Sequence, residues 1–329
     1  MKIIKLEPSL HEKIWGGNHL NTEFNISIPS ETVGEAWVIS AHPNGPSVIS
    51  SPQKYKGWTL TKLYDECPNL FGRSENSSSY QNNDFPLLVK ILDANQNLSV
   101  QVHPDDNFAW KHAEEPGKTE CWYIISAETD AEIILGHNAK SKDEFLMYIR
   151  EERWDELLRK VKVKAGDFFY VPSGTIHGIG SGIRILETQQ NSDTTYRVFD
   201  YNRIGNDGIP RQLHLEEALS VTKIPHYDET PKPIVTNFDG GKSSLLIEEK
   251  YFTVWHWSIK TALSLTLSTN QYYLLTIIDG GGELKLISNN QIDEDFINVS
   301  KGEAFIIPVG NSELHLNGEM EIIASIANR

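Results

Sequence analysis

Apolar and polar residues alternate with a period of two through much of the chain. Short apolar runs end at Gly, Pro, Asn or Asp, which is the pattern of strands and turns. Residues 1–50 read as short strands with glycine and proline breaks, and Trp15-Gly16-Gly17 and Gly34-Glu35-Ala36-Trp37 stand out among them. Tryptophans beside glycines either pack over a tight turn or line a pocket. Thr59–Glu66 predicts a short helix and Asn76–Asp84 a polar loop. Phe85–Leu92 reads as a buried strand carrying a single charge, Lys90, which either extends to solvent or faces a polar site.

Leu98–His103 predicts a strand with Leu98, Val100 and Val102 on one face and Ser99, Gln101 and His103 on the other. Asp105–Pro116 is polar and partly helical in pattern. Strands follow at Cys121–Ser126 and Glu132–Leu135. Ser141 and Glu144 form a capping box, and Phe145, Tyr148, Ile149 and Leu157 predict an amphipathic helix ending near Arg159. Strands resume at Asp167–Val171, Ile183–Thr188 and Tyr196–Tyr201, with a helix over His214–Val221. Residues 222–243, with Pro225, Pro231, Pro233 and Asp239-Gly240-Gly241, are the best linker candidate. From Ser244 onward every signal is β.

One internal similarity sets the expected architecture. Gly166 to His177 has the form G-x5-P-x-G-x2-H, and Gly302 to Glu313 repeats it with Glu in the last position. We read two related β-domains, at 1–235 and 236–329, the first enlarged by helices and loops. The second lacks a counterpart of Gln101-x-His103, so no metal is expected there. A length of 329 residues accommodates two domains.

A net charge of −15 argues against nucleic acid and anionic membranes as partners, while a local cluster of lysine and arginine still permits a small anionic substrate. Two cysteines, Cys67 and Cys121, make no disulfide framework and suit a reducing cytoplasm. The charged N-terminus does not read as a signal peptide, and no run approaches the ~20 apolar residues that span a bilayer.

The candidate chemistry gathers at four residues. Gln101 and His103 share a strand face, Glu120 opens the next strand, and His177 follows the turn that ends a strand. Two imidazoles, a carboxylate and an amide oxygen suit Zn²⁺ or another divalent ion with a position open for water or substrate. A hydrogen-bonded polar cluster is the alternative. Cys121 points away from Glu120 and contributes no thiolate.

The G-x5-P-x-G-x2-H element resembles the second motif of the cupin superfamily of jelly-roll barrels. Gln101 stands where the first cupin motif has its first His, and Glu120 follows a long insertion. Gln101-Val-His103-Pro104-Asp105, Gly117-Lys118-Thr119-Glu120-Cys121-Trp122-Tyr123, Pro172-Ser173-Gly174-Thr175-Ile176-His177 and Leu186–Arg197 resemble the type I phosphomannose isomerases in their short bacterial form. The resemblance implies a mainly β fold of two cupin-type jelly-roll barrels with a few helices inserted in the N-terminal one. It implies one zinc ion per chain on Gln101, His103, Glu120 and His177, with Arg197 catalytic, Lys118 lining the site and Glu187 a candidate proton donor or acceptor. It further implies a sugar phosphate as substrate, interconverted between mannose 6-phosphate and fructose 6-phosphate. The chain would act as a monomer or homodimer. A cupin metalloenzyme of another reaction type and a catalytically weak sugar-phosphate binder are the competing expectations.

Overall fold

The computed structural model describes residues 2–73, 84–205, 208–288, 291–292 and 296–328. The fold is mainly β, as the period-two pattern predicts. Two sheets face one another in the N-terminal barrel. One has six strands in the order Phe168–Val171, Glu120–Ala127, Ile183–Gln190, Leu87–Ala94, Val33–Ile39 and Ser9–Gly17. The other has five, in the order Tyr196–Phe199, Val100–Val102, His177–Ile179, Glu132–His137 and Leu158–Lys162. Trp15, Leu92, Trp122, Ile124, Ile133, Ile179 and Ile185 fill part of the space between them.

The six-stranded sheet is buried on both faces. Its far face, with Ala36, Val38, Leu87, Val89, Ile91, Cys121, Tyr123 and Leu186, packs against Phe252, Val254, Leu274, Ile306 and Ile323 from the C-terminal strands. A sheet covered on both sides reads as a continuous apolar run, and this explains Leu87–Ala94. Within it, successive side chains take opposite faces, so Lys90 points into the N-terminal barrel while Val89 and Ile91 point into the shared core.

The C-terminal strands join an 11-stranded sheet built on the long partners Tyr273–Ser288 and Asn311–Ala327. Leu275, Ile277, Leu284, Leu286, Leu314, Leu316, Ile322 and Ala324 turn inward to a core of their own. The N-terminal stretch lends this sheet two strands, Ile4–Glu7 beside Ala304–Ile307, and Val48–Ser51 beside Ile4–Glu7.

Several local expectations hold. Thr59 caps Leu60–Glu66, accepting from the Lys62 amide at 3.2 Å, and Ser141 caps Lys142–Arg150. Two do not. The helix expected to reach Arg159 ends at Arg150, where Glu152 takes φ +53° and the Arg153 amide donates to the Tyr148 carbonyl. After a single turn at Trp154–Leu157 the chain becomes an edge strand, Leu158–Lys162, whose half-buried Val161 stands between the exposed Lys160 and Lys162. The expected linker over 222–243 is only partly irregular. Ile234–Phe238 and Gly241–Glu248 are antiparallel strands, with Asp239-Gly240 as their two-residue turn. The loop expected over Asn76–Asp84 lies, up to residue 83, outside the described residues. No helix among the described residues is long and apolar enough to cross a membrane.

The repeated motif folds the same way twice. Gly166 and Gly302 take φ +90° and +89°, Gly174 and Gly310 take +84° and +87°, and Phe168–Val171 and Ala304–Ile307 are the corresponding strands. Glu313, at the position of His177, is half-exposed beside His315 at 3.1 Å. Gly166 and Gly302 differ in what surrounds them. A Cβ at Gly166 meets nothing within 4 Å, whereas one at Gly302 would lie 2.3 Å from the Phe24 carbonyl. Gly166→Ala should therefore cost about 1–2 kcal/mol, the strain of the positive φ alone, and Gly302→Ala should cost distinctly more. Urea unfolding of both variants checks this, and equal losses would contradict it.

Candidate metal centre

Strand register brings the site together. Val100–Val102 lies between His177–Ile179 and Tyr196–Phe199, so Gln101 sits opposite His177 on one side and Arg197 on the other. His103 follows directly. On the facing sheet, Glu187 is registered with both Trp122 and Lys90, and Gln189 with Glu120. The period of two puts Glu120 and Trp122 on the inner face and sends Cys121 to the shared core, where its thiol lies 3.6 Å from the Thr188 carbonyl. Lys118, two residues before Glu120, continues the inner face.

His103, Glu120 and His177 form a buried cluster whose ligand atoms all lie within 4.8 Å of one another. His103 Nε2 is 3.5 Å from Glu120 Oε2, and His177 Nε2 is 3.4 Å from Glu120 Oε1. Each imidazole Nδ1 donates to a carbonyl, His103 to Thr194 at 2.9 Å and His177 to Thr175 at 2.8 Å. With Nδ1 protonated, both Nε2 lone pairs point into the cluster, which is the tautomer a metal ligand needs. The buried His177 Nε2 has no hydrogen-bond partner among the described residues, and a bound cation would satisfy it. The donor set fits a divalent metal. Gln101 stands half-buried in the wall of the adjoining cleft, where register places it as the fourth candidate ligand.

The charges around the cluster follow from burial. Burial, then the nearby Lys118, holds His103 well below the usual imidazole range and His177 down to about 4, so both rings are neutral. Burial and the Glu187 carboxylate push Glu120 up, against the pull of Lys118, whose ammonium contacts it directly. Lys118 Nζ also lies 3.0 Å from His103 Nε2. For Glu187, burial opposes ionisation, but Lys118 and Lys90 outweigh it and lower its pKa. Glu187 accepts from Trp122 Nε1 at 3.1 Å and lies 3.4 Å from Lys90 Nζ. Trp122 also packs at a steep angle on the His177 ring, centroids 5.5 Å apart, so this one indole contacts both Glu187 and the imidazole.

Beside the cluster opens a cleft of about 310 Å³. Gln101, Lys118, Glu187 and Arg197 line it, as does Lys90. Arg197 donates from Nη1 to the Gln212 carbonyl at 2.8 Å, and its buried Nε has no partner. Four charged residues that carried no role in the sequence reading also line the cleft: Lys13, Glu35, Asp193 and Arg211. Glu35 lies 3.2 Å from Lys13 and accepts from Trp37 Nε1 at 2.7 Å. The Gly34-Glu35-Ala36-Trp37 motif was the available signal for it. Trp15 both packs in the barrel and lines the cleft, and a Cβ at Gly34 would come within 2.6 Å of its ring.

The description "Phosphomannose isomerase type I, catalytic domain" matches residues 3–120, and "Mannose-6-phosphate isomerase, cupin domain" matches residues 242–327. The chain is 47% identical to the mannose-6-phosphate isomerase of Streptococcus mutans over 98% of each chain. It is 45% identical to one from Bacillus subtilis over 97% of each. A crystal structure of the mannose 6-phosphate isomerase from Bacillus subtilis superposes with a TM-score of 0.92 at 40% identity, covering 99% of both chains.

Glu35 carries a pH signature. Burial opposes its ionisation, but Lys13 and Lys90 bring its pKa down from the usual carboxylate value to about 2. An unfolded Glu35 takes up its proton near pH 4.5, so its stabilising contribution is complete above that pH and is lost as pH falls toward 2. Glu35→Gln should be less stable than the parent above pH 4.5, by at most about 3 kcal/mol, and the gap should close on acidification. Denaturant unfolding at pH 7 and at pH 3 measures both; a gap independent of pH would refute the assignment.

Proposed function

The chain belongs to the type I phosphomannose isomerases, and on that premise we propose that its cleft interconverts mannose 6-phosphate and fructose 6-phosphate with a bound divalent metal, which we take to be zinc from the family resemblance, since the ligand set alone also suits other divalent ions. The observation that carries this reading is the pair of buried imidazoles, both with Nδ1 committed to a carbonyl and Nε2 turned toward Glu120, at the edge of a cationic cleft. His103, Glu120 and His177 would hold the ion, with Gln101 as the fourth ligand. When bound, the ion supplies Lewis acidity at the sugar oxygens.

The rest follows from side chains of this chain. Moving a proton between C1 and C2 of an aldose passes through an enediolate, on which negative charge develops at adjacent oxygens. Arg197 remains protonated in any protein environment and lies on the cleft wall, so it stabilises that charge. Glu187 and Lys118 are the candidates for carrying the proton. The lysines around Glu187 keep it ionised and able to accept, and Trp122 Nε1 fixes its orientation. Lys118 contacts both Glu120 and His103 and also lines the cleft, so its ammonium reaches from the cluster to the space a substrate would occupy. Of the charged cleft residues, Lys13, Lys90, Lys118, Arg197 and Arg211 outnumber Glu35, Glu187 and Asp193. A dianionic phosphate is therefore attracted locally despite the overall charge of −15. We assign residues 1–235 to the catalytic barrel and 236–329 to a degenerate barrel without metal, while noting that Ile4–Glu7 and Val48–Ser51 pair into the second sheet.

Elemental analysis and a coupled isomerase assay on one preparation test the proposal. His103→Ala and His177→Ala should each lose metal and activity together. Arg197→Ala should retain metal and lose turnover by about 10²-fold or more, the scale of one preorganised charge donor. Chelator should abolish activity and added zinc restore it. Full turnover in a metal-free preparation would refute the mechanism.

A further inference from the structure

Glu115 lies outside the metal cluster and outside the cleft lining, on the segment between the Asp106–His112 helix and Glu120. Its carboxylate is nevertheless saturated. Oε2 accepts from Ser192 Oγ at 3.0 Å, from the Asp193 amide at 3.1 Å and from Thr194 Oγ1 at 2.9 Å. Oε1 lies 3.3 Å from Nε2 of the buried His42. The other ring nitrogen, Nδ1, accepts from the Asn44 amide at 3.2 Å, so Nε2 carries the hydrogen and donates. One carboxylate thus pins three consecutive residues, and Ser192 Oγ in turn accepts from the Thr194 amide at 3.3 Å.

Those three residues bear on the site directly. The Thr194 carbonyl is the acceptor that holds His103 Nδ1. Asp193 lines the cleft, as does Thr195 just beyond. We propose that Glu115 is the positioning residue of the metal centre: by clamping Ser192, Asp193 and Thr194 it sets the carbonyl that selects the His103 tautomer. The proposal rests on the metal assignment above. An imidazole whose Nδ1 partner is mobile divides its proton between both nitrogens, and the tautomer able to bind at Nε2 is then only partly populated. Four charge-assisted hydrogen bonds on a half-buried carboxylate also lower its pKa to about 2, so the clamp remains ionised throughout the working range.

The substitution Glu115→Ala tests this in the full-length protein, with Zn²⁺ as probe in a chelator competition. Its zinc dissociation constant should rise about 10–100-fold, the usual loss when the partner of a ligand histidine is removed. Because the Lys118 ammonium also donates to His103 Nε2, the tautomer is read in a Lys118→Met background, where nitrogen NMR of the metal-free protein should show His103 moving from a single Nδ1–H tautomer to a mixture when Glu115→Ala is added, while His177, held by Thr175, stays unchanged. Glu115→Gln keeps one acceptor oxygen and should fall between the two. Should Glu115→Ala fail to fold, Ser192→Ala and Thr194→Val each remove one donor to the clamp, and each should give a smaller shift in the same two readouts. Unchanged zinc affinity together with an unchanged His103 tautomer in the folded variants would overturn the proposal. A parent protein that bound no zinc would overturn the metal assignment instead, and the tautomer readout would still decide the role of Glu115.

Discussion

The structure depends on one six-stranded sheet being buried on both faces. One face is ordinary core, closed by Phe252, Leu274, Ile306 and Ile323 from the C-terminal strands. The other mixes the apolar residues Leu92, Trp122, Ile124 and Ile185 with the charged residues Lys90, Glu120 and Glu187. Burying such charges is costly unless each has a partner of opposite sign. Here the strand registry provides it: Glu187 is registered with Lys90, and Trp122 on the other side donates to the Glu187 carboxylate. The C-terminal barrel is therefore more than an appendage, because it covers the sheet whose opposite face carries the chemistry.

The same economy shapes the metal centre. Imidazoles this deeply buried lose most of their tendency to protonate. Backbone carbonyls of Thr194 and Thr175 then direct both neutral rings the same way. Neither carbonyl is recognisable as functional from residue type, since any amino acid supplies one. What positions them lies further out, in the Glu115 side chain for Thr194 and in the backbone of the Gly174 turn for Thr175. The Gly174 amide is tied to the His103 carbonyl at 2.8 Å, so the two halves of the cluster are also linked through the backbone.

The likeness between Gly166–His177 and Gly302–Glu313 shows what a repeat retains. Both copies preserve the pair of positive-φ glycines and the strand between them. They differ at the terminal residue: His177 is buried beside His103 and Glu120, whereas Glu313 stands half-exposed beside His315. Backbone geometry persists because a residue with a Cβ is strained at those glycine positions. A ligand side chain carries no such constraint from the fold itself.

Much was legible in the chain by itself. Period-two patterning located most strands, and two of the helix starts were marked by Thr59 and Ser141, because a local hydrogen bond to the first turn is written in local sequence. His103, Glu120 and His177 stood out from their motifs, and Lys118 and Glu187 were singled out only by the family resemblance. The helix end at Arg150, the strand at Leu158–Lys162 and the strand inside the expected linker were not legible. A strand at a sheet edge is defined by its partner, which is distant in sequence. Lys13, Glu35, Asp193 and Arg211 escaped for a related reason, since a charged residue gains a role in a cleft only when other strands close that cleft around it. Sequence alone determined the turns, the caps and the residues of the candidate ligand cluster, all of which rest on residue type and local motif. The tertiary structure decided which strands pair, which face of each is dry, and which carbonyl each imidazole meets, because those depend on residues tens of positions apart arriving at the same place.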